Sequence, residues 1–318
     1  MDAPARTSIL VAAARAFASR DPDDSLRNPD LLAGKLIGPD ELALISDHPL
    51  SKGLQQPYSE AIENPAIVGL AWVMLLRTRF IDEALVRAVR NGATQIVILG
   101  AGFDSRAYRF QELLKDCRVI EVDAAPTQQY KKRRVSAALL YVPNNLTYAS
   151  VDFANDDLGG ALRAAGLSKE EKTFYIWEGV CMYLSEESVR KTLQTVASES
   201  APGSSLVLDY ANSLGIELAK TNPGGPGTFP ASWGEPWLFG VPLPDGSEFF
   251  RELGFDPGVP LAMLNPEAIK RYTTGRDGTV YGAKALAKRR AEARPVDEET
   301  RKAVAAAGGV YWLAELTV

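Results

Sequence analysis

Val97-Ile98-Leu99-Gly100-Ala101-Gly102-Phe103-Asp104-Ser105-Arg106 runs an apolar strand directly into a turn that holds two glycines. Glycine lets the backbone turn sharply and approach a ligand closely. Alone, such a turn also suits an ordinary strand-to-helix junction. The next strand, Val119-Ile120-Glu121-Val122-Asp123, adds a carboxylate about twenty residues beyond the glycines, where doubly wound sheets grip a ribose diol. Glu121 and Asp123 alternate along that strand, so one faces the ligand crevice, and Asp123 is the preferred candidate.

Around this unit, short β-rich runs alternate with helical stretches: Gln95–Leu99, Arg118–Val122, Thr147–Val151, Thr173–Trp177 and Ser205–Tyr210. The alternation predicts an α/β fold, a doubly wound, Rossmann-like and mostly parallel sheet with helices on both faces. Ligands then bind beyond the carboxyl ends of the strands. Residues 1–92 read as a helical N-terminal cover, with apolar residues at helical spacing from Ala66 to Leu76 and through Phe80, Ile81, Leu85 and Val89. Residues 93–318 read as the α/β domain. Residues 211–247 break its pattern with a Pro- and Gly-rich irregular insertion carrying Trp233, Trp237 and Phe239; long loops of this kind act as lids or binding loops. A plug on the sheet edge is the other reading. Ala283–Ala307 reads as a charged helix and Val310–Val318 as a half-buried strand.

The glycine turn separates two nucleoside cofactors. Ser105 stands where a dinucleotide fingerprint has its third glycine, and Asp104 puts an anion where a pyrophosphate wants bare helix N-terminal amides. A sulfonium cofactor, with no phosphate and a positive methyl donor centre, tolerates acidic neighbours. The balance tips toward S-adenosylmethionine and away from a nicotinamide-dependent oxidoreductase.

Composition narrows the partners. With a formal net charge of −5, nothing favours the phosphate backbone of a nucleic acid. The hydrophobic share of 46% in 318 residues suits a folded core, but no apolar stretch approaches the ~18 residues of a membrane span. The run Ser8–Ala14 is bracketed by Arg6 and Arg15 and reads as an amphipathic helix rather than a signal peptide, making the cytoplasm the expected address. Cys117 and Cys181 are too few for a disulfide framework and lack metal-ligand spacing. Composition leaves the oligomeric state open.

Four segments occurring in order, Val97–Arg109, Glu121-Val122-Asp123, Ser150-Val151-Asp152-Phe153 and Trp177-Glu178-Gly179-Val180-Cys181-Met182-Tyr183-Leu184, together resemble the leucine carboxyl methyltransferase family. They are most similar to its bacterial branch of S-adenosylmethionine-dependent methyltransferases. The resemblance spans roughly residues 65 to 255 and implies a class I methyltransferase fold with a seven-stranded sheet. It further implies that Asp123 holds the ribose hydroxyls and that Asp152 and Phe153 close over the adenine, with Asp152 accepting from the exocyclic amine. Gly100 would line the methionine portion and Gly102 would also bind the cofactor, Glu178 would meet its ammonium, and Arg77 would pair with its carboxylate, Arg79 being the fallback. Charged hydrogen bonds contribute roughly 1.5–3 kcal/mol each, so losing Asp123 or Arg77 is expected to weaken cofactor binding tenfold or more.

Plainer roles compete with these. Asp104 and Arg106 would pair to stiffen the turn, Asp152 would cap a following helix, and Trp177 and Tyr183 would be core packing.

Methyl transfer from a sulfonium is an in-line displacement that chiefly needs alignment and exclusion of water. A carboxylate acceptor needs no base, whereas a phenol or alcohol is helped by one. The only histidine, His48, is the candidate base, with Asp47 beside it to raise its pKa. The leading expectation is an O-methyltransferase for a carboxylate or hydroxyl of a small, planar or apolar molecule of secondary metabolism. A protein carboxyl methyltransferase and a non-catalytic nucleoside-binding protein are the alternatives.

Overall fold

The computed structural model of the chain describes residues 4–138, 141–221, 228–292 and 297–318. Its centre is a seven-stranded sheet in the order β3-β2-β1-β4-β5-β7-β6. The first five strands are parallel: β1 Gln95–Leu99, β2 Arg118–Asp123, β3 Leu146–Ser150, β4 Thr173–Trp177 and β5 Ser205–Ala211. β1 and β4 are buried along their whole length, which is why they read as unbroken apolar runs. β7, Tyr311–Thr317, runs antiparallel between β5 and the two-residue β6, Leu261–Ala262.

The strand order reverses between β1 and β4, and that reversal opens a crevice at the carboxyl edge. The register Ala211↔Tyr311 brings the start of β7 to the same edge.

Helix α1, Arg6–Ala18, and the 26-residue α2, Pro65–Arg90, pack together on one face of the sheet. Asn64 opens α2 by accepting from the backbone N–H of Ala66, with Pro65 at the first helical position, where a missing N–H is harmless. Ile67, Ala71, Leu75, Ala84 and Leu85 of α2 share one core with Ile96 and Ile98 of β1. On the opposite face Val97, Leu99, Tyr175 and Trp177 pack with Val189, Leu193 and Val196 of α3, Glu186–Ser198. Trp177 is therefore core, as expected.

The structure corrects two readings of chain organisation. Residues 211–247 are not irregular throughout: β5 extends to Ala211 and a helix α4, Ser213–Thr221, follows, then a short α5, Thr228–Ser232. Asn222–Gly227, the most Pro- and Gly-rich part of the insertion, lies outside the described residues. Ala283–Ala307 is not one helix but contains α6, Ala283–Glu292, and α7, Glu298–Ala306; Asp297 caps α7 by accepting from the backbone N–H of Thr300, starting a new helix. Among the described residues no helix is long and apolar enough to cross a membrane.

Candidate active site

The β1 strand leads into Gly100 and Gly102, both at positive φ, 67° and 38°. The amide of Gly102 donates to Asp123 Oδ2 at 2.6 Å, and that of Ala124 to Oδ1 at 2.7 Å. Two backbone donors thus aim the Asp123 carboxylate into a cavity of about 1710 Å³ at the sheet's carboxyl edge. Burial raises the Asp123 pKa and the two amides oppose the rise.

Glu121, two residues earlier on the same face of β2, lies deeper and outside the cavity lining. It is fully buried, its carboxyl pushed up to about 7 by burial despite the Lys131 ammonium at 2.8 Å. Lys131 also donates to the carbonyl of Ala101 at 3.3 Å and so ties the glycine turn to β2.

Glu178, directly after β4, accepts from Arg77 Nε at 2.7 Å and from Arg106 Nη1 at 2.6 Å. Burial alone would raise its pKa, but the two guanidiniums hold it well below the usual carboxylate range. Arg77 reaches Asp209 at 2.9 Å with its Nη1, and the amide of Gly179 donates to the other oxygen of Asp209 at 2.6 Å. Arg106 pairs with Asp104, stiffening the turn as expected, and with Asp82 at 2.8 Å, which also receives a bidentate Arg109. Arg15 of α1 pairs with Asp30 at 2.9 Å and donates to the carbonyl of Phe103. The cavity therefore has an ion-paired inner wall.

Arg77, Gly100, Gly102, Asp123, Asp152, Phe153, Glu178 and Trp237 all line this one cavity. Asp152 does not cap the following helix; it closes a turn by accepting from the amide of Ala154 at 2.9 Å and the side chain of Asn155 at 2.8 Å. Tyr183, expected in the core, packs against it partly buried and also lines the cavity. Arg79 points elsewhere, donating to the carbonyls of Ser25, Arg27 and Tyr272.

The insertion divides. Glu235 accepts from the amides of Arg6 at 2.8 Å and Thr7 at 3.1 Å, and from the Thr7 hydroxyl, which fastens the segment before Trp237 to the first turn of α1. Trp233 sits outside the lining, beneath the Arg6 guanidinium at 4.4 Å and edge-on to His48 at 5.0 Å. Phe239 is in the core, 5.7 Å from Phe249. The stretch thus combines a cavity wall at Trp237 with core packing at Phe239.

His48 is not brought to the cavity. Its Nδ1 accepts from the amide of Leu50 and caps the helix Pro49–Leu54. Its pKa is lowered rather than raised, because burial outweighs the adjoining Asp47.

Sequence reasoning missed Asp209, Tyr311, Glu235 and Arg15. For Asp209 a signal existed: it is the one acid in the apolar run Ser205–Ala211. Tyr311 was legible only as part of the half-buried strand Val310–Val318.

The donor set fits S-adenosylmethionine. A two-amide-oriented carboxylate suits a diol, an arginine flanked by carboxylates suits an α-amino acid end, and Phe153 beside Trp177 offers an apolar surface to a base.

The comparisons agree with this chemistry. A family model described as Leucine carboxyl methyltransferase matches residues 8–197. A Bacillus subtilis relative named "Putative S-adenosyl-L-methionine-dependent methyltransferase YktD" is 33% identical over 216 residues, 65% of this chain and 70% of its own. A Mycobacterium ulcerans relative with the same descriptive name is 32% identical over 208 residues, 64% of this chain and 66% of its own, so the chain spans just under two thirds of it. Among solved structures, a DUF574 family protein from Streptomyces avermitilis aligns over 96% of both chains at 14% identity and a TM-score of 0.55. At that identity the likeness supports the fold.

Proposed function

Because this chain belongs to the leucine carboxyl methyltransferase family and is an S-adenosylmethionine-dependent methyltransferase, we propose that it methylates an oxygen, in a hydroxyl or a carboxylate, of a small and largely apolar molecule. One observation carries the reading: the cavity that holds the ion-paired wall is also lined by apolar side chains, Leu70 and Val73 of α2, Trp237, and Ile269 and Leu286 from beyond β6. A pocket for one drug-sized ligand occupies about 300–1,000 Å³. A cavity of about 1710 Å³ has room for a cofactor and an acceptor side by side.

When bound, the sulfonium supplies an activated methyl group. The chain's own part is to bind, orient and exclude water. Asp123 takes the ribose hydroxyls and Asp152 and Phe153 the adenine; Gly100 and Gly102 leave space for the methionine portion. Glu178 takes the ammonium, and Arg77, held from two sides, the carboxylate. Residues 1–92 serve as a cover over the crevice, and the Trp237 segment as its lid. Orientation of this kind lowers a barrier by about 7–11 kcal/mol at best, and a dry cavity strengthens every charge interaction within it.

Isothermal titration with S-adenosylmethionine and S-adenosylhomocysteine, with NADH as control, tests the reading. Micromolar binding of the first two, weakened tenfold or more in Asp123→Ala, is expected. Absence of binding, or tight NADH binding, refutes it.

A further inference from the structure

Tyr311, at the start of β7, stands at the cavity wall with its ring 5.9 Å from that of Trp237. Its hydroxyl donates to Asp209 Oδ2 and accepts from Arg77 Nη1 at 3.4 Å. Asp209 is fully buried and fixed from three further directions: by Arg77, by the amide of Gly179 and by the thiol of Cys181 on its backbone carbonyl.

A phenol has one proton and two lone pairs. The proton of Tyr311 is committed to Asp209 and one lone pair to Arg77. What remains for a ligand is an acceptor. An acceptor site recognises a group that brings its own proton, and the other charges agree. Glu178 and Glu235 line the cavity and Asp209 lies directly behind Tyr311, while the Arg77 guanidinium is already shared between two of these carboxylates. With Arg77 taken by the cofactor's carboxylate in the reading above, a second carboxylate on the acceptor would meet like charge; an uncharged hydroxyl would not.

We propose that Tyr311 and Asp209 form a relay selecting a protonated hydroxyl on a flat apolar body, and that the methyl acceptor is such a neutral alcohol or phenol rather than a carboxylate. This rests on the methyltransferase reading above and sharpens it. The atoms balance. As the acceptor oxygen forms its bond to the methyl carbon, the carbon–sulfur bond breaks and its electron pair stays on sulfur. The acceptor's proton passes to the Tyr311 oxygen as the Tyr311 proton passes to the Asp209 carboxylate. Departure of the methyl ether lets the proton return through Tyr311 to solvent.

The test uses the full chain saturated with S-adenosylhomocysteine at pH 7.5, titrated with 2-naphthol and with 2-naphthoate, two flat probes differing in the group presented. The expected result is at least tenfold tighter binding of the naphthol. In Tyr311→Phe, which keeps the ring against Trp237, S-adenosylhomocysteine affinity stays within about threefold of wild type while the naphthol preference falls to below threefold. Equal binding of both probes, preference for naphthoate, binding of neither, or an unchanged preference in Tyr311→Phe each overturns the proposal. Failure of S-adenosylhomocysteine itself to bind wild type instead overturns the underlying methyltransferase reading. Because the wild-type preference is measured first, misfolding of the variant cannot rescue or hide the outcome.

Discussion

Replacing Gly100 with alanine should damage the turn in two separable ways. At φ 67° the residue lies in the left-handed region, which disfavours any side chain by about 1–2 kcal/mol. A Cβ added there would also stand 2.4 Å from Val180 Cγ2, but 3.5 Å from Val180 Cβ and Cγ1. Overlap of that kind costs about 1–3 kcal/mol, so Gly100→Ala is expected to lose about 2–5 kcal/mol in total. Val180→Ala removes the colliding atom and leaves an ordinary contact at 3.5 Å. In the double variant only the backbone cost and the loss of the Val180 methyls remain, giving a favourable coupling of about 1–3 kcal/mol across the cycle. Urea unfolding of the four proteins measures it. Titration with S-adenosylhomocysteine adds a second readout, since a displaced turn carries the Gly102 amide away from Asp123. Additivity within about 0.5 kcal/mol would refute the reasoning, because it would mean that Val180 does not confine this turn.

Two more outcomes follow from the ion pairs. Glu121 holds its proton up to about pH 7 in the fold against about 4.5 unfolded; between those values the folded state binds a proton the unfolded state has lost, so stability declines as pH rises. Glu121→Gln removes that slope, and its stability relative to wild type should improve by about 3 kcal/mol between pH 4.5 and 8; a difference between the two proteins that does not change with pH, followed by urea midpoints, speaks against it. Glu235→Ala unfastens the lid segment from α1 by removing a cap-like acceptor worth about 1–2 kcal/mol. Protease cleavage between Ser232 and Trp237 should then accelerate roughly 5–30-fold, whereas an unaltered cleavage rate would show that Glu235 does not hold the lid.

Legibility in the sequence follows from how local each feature is. Four of the five parallel strands could be read because both faces are covered and apolar runs mark them; the third, with a single buried residue, was displaced by one, Thr147–Val151 against the observed Leu146–Ser150. β6 has two residues, too few for any periodicity. Asp123 and the glycine turn were readable because strand, turn and carboxylate are neighbours in one βαβ unit. The partners of Arg77 could not be read: Glu178 lies 101 residues away and Asp209 132, and only the sheet order brings them together. His48 shows the opposite limit, since a residue type suited to base chemistry says nothing about which side of a helix cap it occupies. Tyr311 belongs to the stretch read only as a half-buried strand, and the register with Ala211 is what carries it to the carboxyl edge.

The inner wall raises an energetic question whose answer bears on function. Arg15, Arg77 and Arg106 are all buried, and each is ion-paired. Desolvation largely offsets the attraction within such pairs, and well-packed apolar side chains of the same volume would commonly stabilise the fold as well or better. Stability therefore does not explain why Arg77, Arg106, Glu178 and Asp209 are linked at the carboxyl ends of β4 and β5. Rigidity does. A carboxylate locked between two guanidiniums, and a guanidinium locked between two carboxylates, keep their orientation before any ligand arrives, and preorganised charges need no reorganisation when they are used. An apolar wall could enclose a zwitterion's volume but could not receive its two ends in a fixed order. On this argument the wall gives up stability for orientation, and conservative changes such as Glu178→Gln should therefore weaken binding of the cofactor's amino acid end more than they weaken the fold.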